Sequence, residues 1–184
     1  LGDLNLWRLN LGVFVLHAIL IGVFVALPSV LLSETNLTTK SQEILYFVTL
    51  ISSFISVVPL ILLAERKSHL KKISLLSILG LLVSITCFIV GSHSSLLMSV
   101  SLWIFFTGFI FLEASLPSWL SKVCPLKARG TCFGFYSSFQ FLGAFFGGAV
   151  SGIFLANHSL SSVFIFVGVL ALFWLGIKAT IDPP

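Results

Sequence analysis

The chain has 184 residues, of which 58% are hydrophobic and 9% charged, and a formal net charge of +4. Soluble domains carry about 25% charged residues, and a soluble fold of this length has no interior large enough for so much apolar surface. Nor do the Lys and Arg residues make a face for nucleic acid, because they lie in short connections between apolar runs.

Six apolar stretches are long enough to cross a bilayer core of about 30 Å, which takes roughly 17–25 helical residues. They fall near 6–32, 42–64, 71–91, 95–121, 129–156 and 160–178. Barrel strands are about ten residues long and alternate in polarity, whereas these runs are longer and apolar on all sides. Within lipid a helix satisfies its own backbone hydrogen bonds. The fold class is therefore an all-α membrane protein, a bundle of six transmembrane helices. Residues 1–184 read as a single six-helix transmembrane domain with no connection long enough for a soluble domain. The chain opens on Leu1-Gly2-Asp3, without a signal-peptide pattern, and stops at Asp182-Pro183-Pro184 directly after an apolar run. It reads as a fragment of a longer protein.

The charges sort by connection. Arg8 precedes the first span; Arg66, Lys67, Lys71 and Lys72 separate the second and third; Lys122, Lys127 and Arg129 separate the fourth and fifth; Lys178 follows the sixth. Only Lys40 falls on the opposite side. Positive connections mark the cytoplasmic face, which predicts both termini inside, in a bacterial inner membrane. Asn36 and Asn157 head Asn-x-Ser/Thr sequons on the outer side, a pattern short enough to arise by chance. Cys87 lies in an apolar run, and Cys124 and Cys132 flank a basic connection without metal-ligand spacing. They are expected to be reduced thiols, and the sequence implies no metal and no cofactor.

Span one ends Leu27-Pro28-Ser29-Val30-Leu31 and span four ends Leu116-Pro117-Ser118-Trp119-Leu120, on opposite sides. This predicts 3+3 inverted repeats, a transporter construction.

Two ionisable residues lie deep in spans. His17 and Glu113 are each nine positions from a charge marker, Arg8 and Lys122, which is roughly 13–14 Å of depth at 1.5 Å per residue. Such residues cost about 2.5–3.5 kcal/mol to insert and face a cavity or a partner. Glu113 is the candidate proton-carrying carboxylate and His17 its partner or relay; a hydrogen bond that only fixes packing is the plainer alternative. Gln140, with Tyr136 one turn before it, and Trp103 with Thr107 could line the same cavity, as could Ser52, Ser53 and Ser56. In the fifth span Gly143/Gly147 and Gly148/Gly152 are spaced i, i+4, which lets helices approach closely.

Three segments resemble the C-terminal half, spans seven to twelve, of major facilitator superfamily transporters. Leu63-Ala64-Glu65-Arg66 with Lys71-Lys72 is similar to the family's cytoplasmic Gly-x-Leu-Ala-Asp-Arg-x-Gly-Arg-Arg/Lys loop, with Ile61, Ser68 and His69 departing from it. Leu116-Pro117-Ser118-Trp119-Leu120-Ser121-Lys122, Pro125 and Ala128-Arg129-Gly130-Thr131 resemble the junction of spans ten and eleven. Gly134, Gly143 and Gly147 keep the spacing of the antiporter glycine motif, while Gly148 stands where that motif has Pro. The Gln140-Phe141-Leu142-Gly143 run and the Asp182-Pro183-Pro184 exit resemble a subgroup of YajR-type proton-driven exporters, whose members carry a small soluble domain after the last span.

The resemblance implies proton-coupled transport of a small molecule, by export through alternating access. The partners it implies are the lipid bilayer, protons, the substrate and the N-terminal six-span half of the same protein. It also places Glu65, Arg66 and Arg129 at a cytoplasmic gate. Two other classes compete. A receptor or scaffold could keep the fold without transport. An intramembrane enzyme would need a Gly-x-Ser-Gly or paired Asp motif, which the sequence lacks, so the chain is read as not an enzyme.

Overall fold

The computed structural model describes residues 4–35, 38–66, 69–90 and 94–180. Six long helices follow one another: α1 (Leu4–Thr35), α2 (Thr39–Arg66), α3 (Leu70–Val90), α4 (Ser95–Val123), α5 (Arg129–Asn157) and α6 (Leu160–Ala179). All six are long and apolar enough to cross a membrane. The shortest, α6, has 20 residues, which spans about 30 Å at 1.5 Å per residue. The helices coincide with the six apolar runs and extend beyond several of them by a few residues.

The ends are set by local chemistry. Ser94 caps α4, its hydroxyl accepting from the Leu97 amide at 3.3 Å, which satisfies an otherwise orphaned donor. Ser159 and Ser162 form a capping box at the start of α6. At the far end of α4 the Cys124 amide donates to Leu120 O, and Pro125, with no amide hydrogen and an extended backbone, stops the helix. A three-residue 3-10 turn, Leu126–Ala128, then leads into α5.

Helix α1 is the axis of the bundle. It packs mainly on α5 and α6 and also on α4, while α4 packs mainly on α3 and α2. Val13, Leu16, Ala18, Ile19, Ala26 and Leu27 are fully enclosed. The α1–α5 seam is close because Gly143 and Gly147 carry no side chain. A Cβ on Gly143 would collide with the backbone of Phe14, and one on Gly147 with that of Ala18. Gly148 and Gly152 lie off this seam: a Cβ on Gly148 would sit 3.2 Å from Ile21 Cγ2, and one on Gly152 meets nothing within 4 Å. The second glycine pair therefore makes no comparably close backbone approach among the described residues.

Three prolines sit inside helices, Pro28, Pro59 and Pro117. Each removes one i→i−4 hydrogen bond. For Pro117 the carbonyl that loses its donor is that of Glu113, four residues back.

Two expectations change. Cys124 and Cys132 are paired as a disulfide, not separate thiols. The turn between α4 and α5 brings their Cα atoms to 6.5 Å, inside the range a disulfide bridges, a proximity that compartment reasoning does not address. Lys178 lies within α6 and is fully buried, so it is not a charge in the connection beyond the span. Its ammonium stands 3.6 Å from the centre of the Trp119 ring. The long apolar stem makes such burial feasible and the aromatic face supplies partial negative charge. Asn36, Lys67 and the Asp182-Pro183-Pro184 exit lie outside the described residues.

Candidate functional site

Helices α1, α4 and α5 each bring one polar side chain to a common point. His17 Nδ1 lies 3.1 Å from Val13 O one turn earlier in α1. A carbonyl can only accept, so the hydrogen is on Nδ1; in the neutral form of the ring Nε2 is then an acceptor. Gln140 Nε2 lies 2.8 Å from that nitrogen and 3.2 Å from Glu113 Oε1. One amide nitrogen thus donates both of its hydrogens, one to an imidazole on α1 and one to a carboxyl on α4.

The second carboxyl oxygen, Glu113 Oε2, is buried without a hydrogen bond among the described residues and sits 3.6 Å from His17 Nε2. That separation is within ion-pair range but beyond a hydrogen bond. The site is asymmetric: the His17 side chain is 11% exposed and that of Glu113 36% exposed. The carboxyl is the wetter member, and the edge of the Phe109 ring packs on the imidazole, with centroids 5.8 Å apart.

The arrangement has two places for a proton, His17 Nε2 and the Glu113 carboxyl. With His17 neutral, every hydrogen in the bridge has an acceptor. If Nε2 gains a proton, the Gln140 amide nitrogen can no longer donate to it. The imidazolium must then turn to Glu113 Oε2, or the amide must flip to offer its oxygen. A proton on this trio therefore changes which helices are tied together.

The other predicted residues fall in separate places. Tyr136 is buried on the same face of α5, one turn from Gln140, and its hydroxyl has no hydrogen-bond partner among the described residues. Ser53 Oγ donates to Trp103 O at 3.2 Å and Trp103 Nε1 donates to Ser56 Oγ at 3.2 Å. These two bonds join α2 to α4 away from the trio. Ser52 bonds back to Thr49 O within α2. Thr107 Oγ1 is buried and has no hydrogen-bond partner among the described residues. At the basic end Glu65 is exposed, and Arg129 Nη2 donates to Ser121 O at 3.3 Å, across the α4–α5 turn. The backbone of Arg66 ends α2, and its side chain lies outside the described residues.

Sequence reasoning passed over Asn10 in α1, whose Oδ1 is buried with no hydrogen-bond partner among the described residues. A polar residue inside an apolar run was the available signal. An open hollow of about 470 Å³ lies at the basic end, lined by residues that include Trp7, Arg8, Phe139 and Thr180. It includes none of His17, Glu113 or Gln140, so this hollow and the convergent chemistry are in different places.

Residues 9–184 match the model of the Major Facilitator Superfamily. The chain belongs to this superfamily. It is 33% identical to the inner membrane transport protein YajR of Escherichia coli K12, over all of this chain and 40% of that protein. It is 31% identical to an uncharacterised transporter of Buchnera aphidicola from Baizongia pistaciae, over 92% of this chain and 43% of the relative. A second uncharacterised Buchnera transporter, from Acyrthosiphon pisum, is 34% identical over 77% of this chain and 36% of its own length. The chain thus spans about two fifths of the curated relatives it matches. The bundle is a six-helix half of the superfamily fold, in an integral, multi-pass membrane protein of a transporter family.

Proposed function

We propose that these residues form the C-terminal half of a twelve-span secondary transporter that exports a small molecule in exchange for protons, with Glu113 as the proton-carrying group. The observation that carries the reading is the His17–Gln140–Glu113 network, in which a neutral amide joins two groups that can gain or lose a proton, on three helices in all. The wide apolar faces of α2 and α5, with Phe47, Ile51, Phe54, Ile55, Phe141 and Phe145 exposed, suit lipid and a second half. The basic end faces the cytoplasm of a bacterial inner membrane, as the concentration of Lys and Arg there supports.

In this reading a proton enters from the outer side and binds the Glu113 carboxylate, the more exposed member of the trio. Neutralising the carboxylate weakens its bond to the Gln140 amide, since bonds to ionised groups are the stronger ones. The α4–α5 tie loosens and the alternating-access equilibrium shifts. The proton leaves to the cytoplasm as substrate binds between the two halves. Glu65 and Arg129 lie at the gate on that side, and Tyr136, Thr107, Trp103 and Ser53 line the path.

The test is substrate-driven proton movement in liposomes holding the full-length protein, with a pH dye inside. Glu113→Gln is expected to abolish proton-coupled flux while leaving the protein folded and monodisperse. Undiminished coupling in that variant overturns the assignment.

A further inference from the structure

We propose that Cys124 and Cys132 form an oxidant-responsive latch, a thiol pair that peroxide closes into a disulfide across the turn between α4 and α5. The two residues are eight apart in sequence, with Cα atoms 6.5 Å apart, and they are paired in the structure. Cys124 is the C-cap of α4, where its amide still bonds to Leu120 O. Cys132 lies in the first turn of α5 (Arg129–Asn157). The bond therefore joins the C-cap of one helix to the first turn of the next, bypassing Pro125 and the 3-10 turn.

That location matters because α4 and α5 otherwise belong to different packing groups. α4 rests mainly on α2 and α3, and α5 mainly on α1. Among the described residues the side-chain ties from α4 to α5 are sparse: the Arg129–Ser121 bond, the Gln140–Glu113 bond and the cysteine pair. Only the last is covalent. Cys124 is eleven residues beyond Glu113 and Cys132 eight before Gln140, or about 16 Å and 12 Å along the two helices at 1.5 Å per residue. A staple at that distance limits how far the two helices can separate at this end, and so limits the Gln140–Glu113 distance.

The surroundings suit reversible chemistry. The two cysteines are nearly covered, at 5% and 9% residue exposure, but the turn beside them, Pro125 to Lys127, is exposed. Lys122, Lys127 and Arg129 flank the pair, the electropositive setting in which reactive cysteines occur. The step balances as two thiols plus hydrogen peroxide giving one disulfide and two waters. One thiolate attacks a peroxide oxygen to form a sulfenic acid and release hydroxide. The second sulfur displaces the sulfenic oxygen, which leaves as water. Sulfur is oxidised and peroxide oxygen reduced. A dithiol reductant reverses the step by exchange. The third cysteine, Cys87, lies near the far end of α3 and takes no part.

The consequence for flux rests on the transporter reading; the chemistry of the pair does not. Full-length protein with Cys87→Ser, in membranes, is treated with dithiothreitol or with peroxide, acid-quenched and labelled with a maleimide that adds mass. Tryptic peptides carrying Cys124 and Cys132 are expected to be labelled after reduction, and to appear as one cross-linked peptide after peroxide. Free thiols at both positions after peroxide, or pairing of either with Cys87 in the wild type, overturns the latch. Proton flux in liposomes is then expected to fall on oxidation and recover on reduction, and to ignore both treatments in Cys132→Ser. Should that variant fail to fold, reversible loss of flux in the Cys87→Ser protein serves instead. A closed bond with unchanged flux overturns the coupling of the latch to gating. Absence of flux in the reduced protein counts against the transporter reading, and the peptide result still decides the bond.

Discussion

Gln140 Nε2 stands 2.8 Å from His17 Nε2, and the same nitrogen reaches Glu113 Oε1 at 3.2 Å. Because one amide serves two acceptors on two helices, the three side chains form a unit and their contributions to stability should not add. Interhelical hydrogen bonds in membrane proteins average about 0.6 kcal/mol and reach about 1.7 kcal/mol. Gln140→Leu and His17→Leu, alone and together in the full-length protein, are expected to show a coupling energy in that range by thermal unfolding. Additivity to within about 0.3–0.5 kcal/mol, the behaviour of independent sites, would mean that the amide does not bridge them.

The glycines of α5 allow a sharper contrast, because identical residues have different surroundings. A methyl on Gly147 meets the backbone of Ala18 and one on Gly143 that of Phe14, where nothing can rotate aside. Overpacking of a tight seam costs typically about 1–3 kcal/mol, so Gly147→Ala and Gly143→Ala should lower the melting temperature clearly. Gly152 faces open space, and alanine there gains up to about 1 kcal/mol of helix propensity. Gly152→Ala should therefore melt at or above the wild-type temperature. Equal losses at positions 147 and 152 would contradict the α1–α5 packing.

How much of this was legible in the sequence follows from what periodicity can encode. The six helices appear as apolar runs because the bilayer sets their length. Which faces meet does not appear, because helices apolar on all sides carry little amphipathic signal, and the α1–α5 seam is marked only by Gly143 and Gly147. His17, Glu113 and Gln140 stood out singly as polar residues at depth. Their meeting depends on α1 lying against both α4 and α5, which no spacing specifies. Lys178 misled for a related reason. A lysine after an apolar run marks a membrane boundary on average, but here the α6 helix continues past it and Trp119 offers a place for its ammonium. Cys124 and Cys132 misled because their pairing depends on the course of a turn built by Pro125.

The Trp103 side chain supplies a third prediction. Its indole donates to Ser56 Oγ at 3.2 Å while its own carbonyl accepts from Ser53 Oγ. Trp103→Phe keeps the ring's apolar contact and deletes one donor, leaving the Ser53 bond intact. A loss of about 0.5–1.5 kcal/mol is expected, the net worth of one neutral hydrogen bond. Ser56 Oγ also donates to Ser52 O at 2.8 Å within α2, so Ser56→Ala should cost less in the Trp103→Phe background than in wild type, by the worth of the indole bond. A cost in that background equal to the one in wild type would show that the indole bond to Ser56 contributes nothing to stability.

At Lys178 an attraction opposes a desolvation penalty. Its ammonium is fully buried, has no hydrogen-bond partner among the described residues, and faces the Trp119 ring at 3.6 Å. A desolvated cation–π contact contributes about 2 kcal/mol, whereas removing an ion from water costs several kcal/mol even after relaxation. Desolvation outweighs the attraction, so Lys178→Met, which keeps the stem and drops the charge, should raise the melting temperature of the full-length protein or leave it unchanged. Trp119→Leu should do the reverse and strongly, because it removes a large buried ring, worth roughly 3–5 kcal/mol when truncated, and strands the cation. In the Lys178→Met background the same tryptophan substitution should cost less, by about the 2 kcal/mol of the lost cation–π contact. If Lys178→Met instead destabilises the protein, the ammonium has a counter-charge outside the described residues. That outcome would replace the balance argued here with a buried ion pair, whose rupture costs about 3–5 kcal/mol.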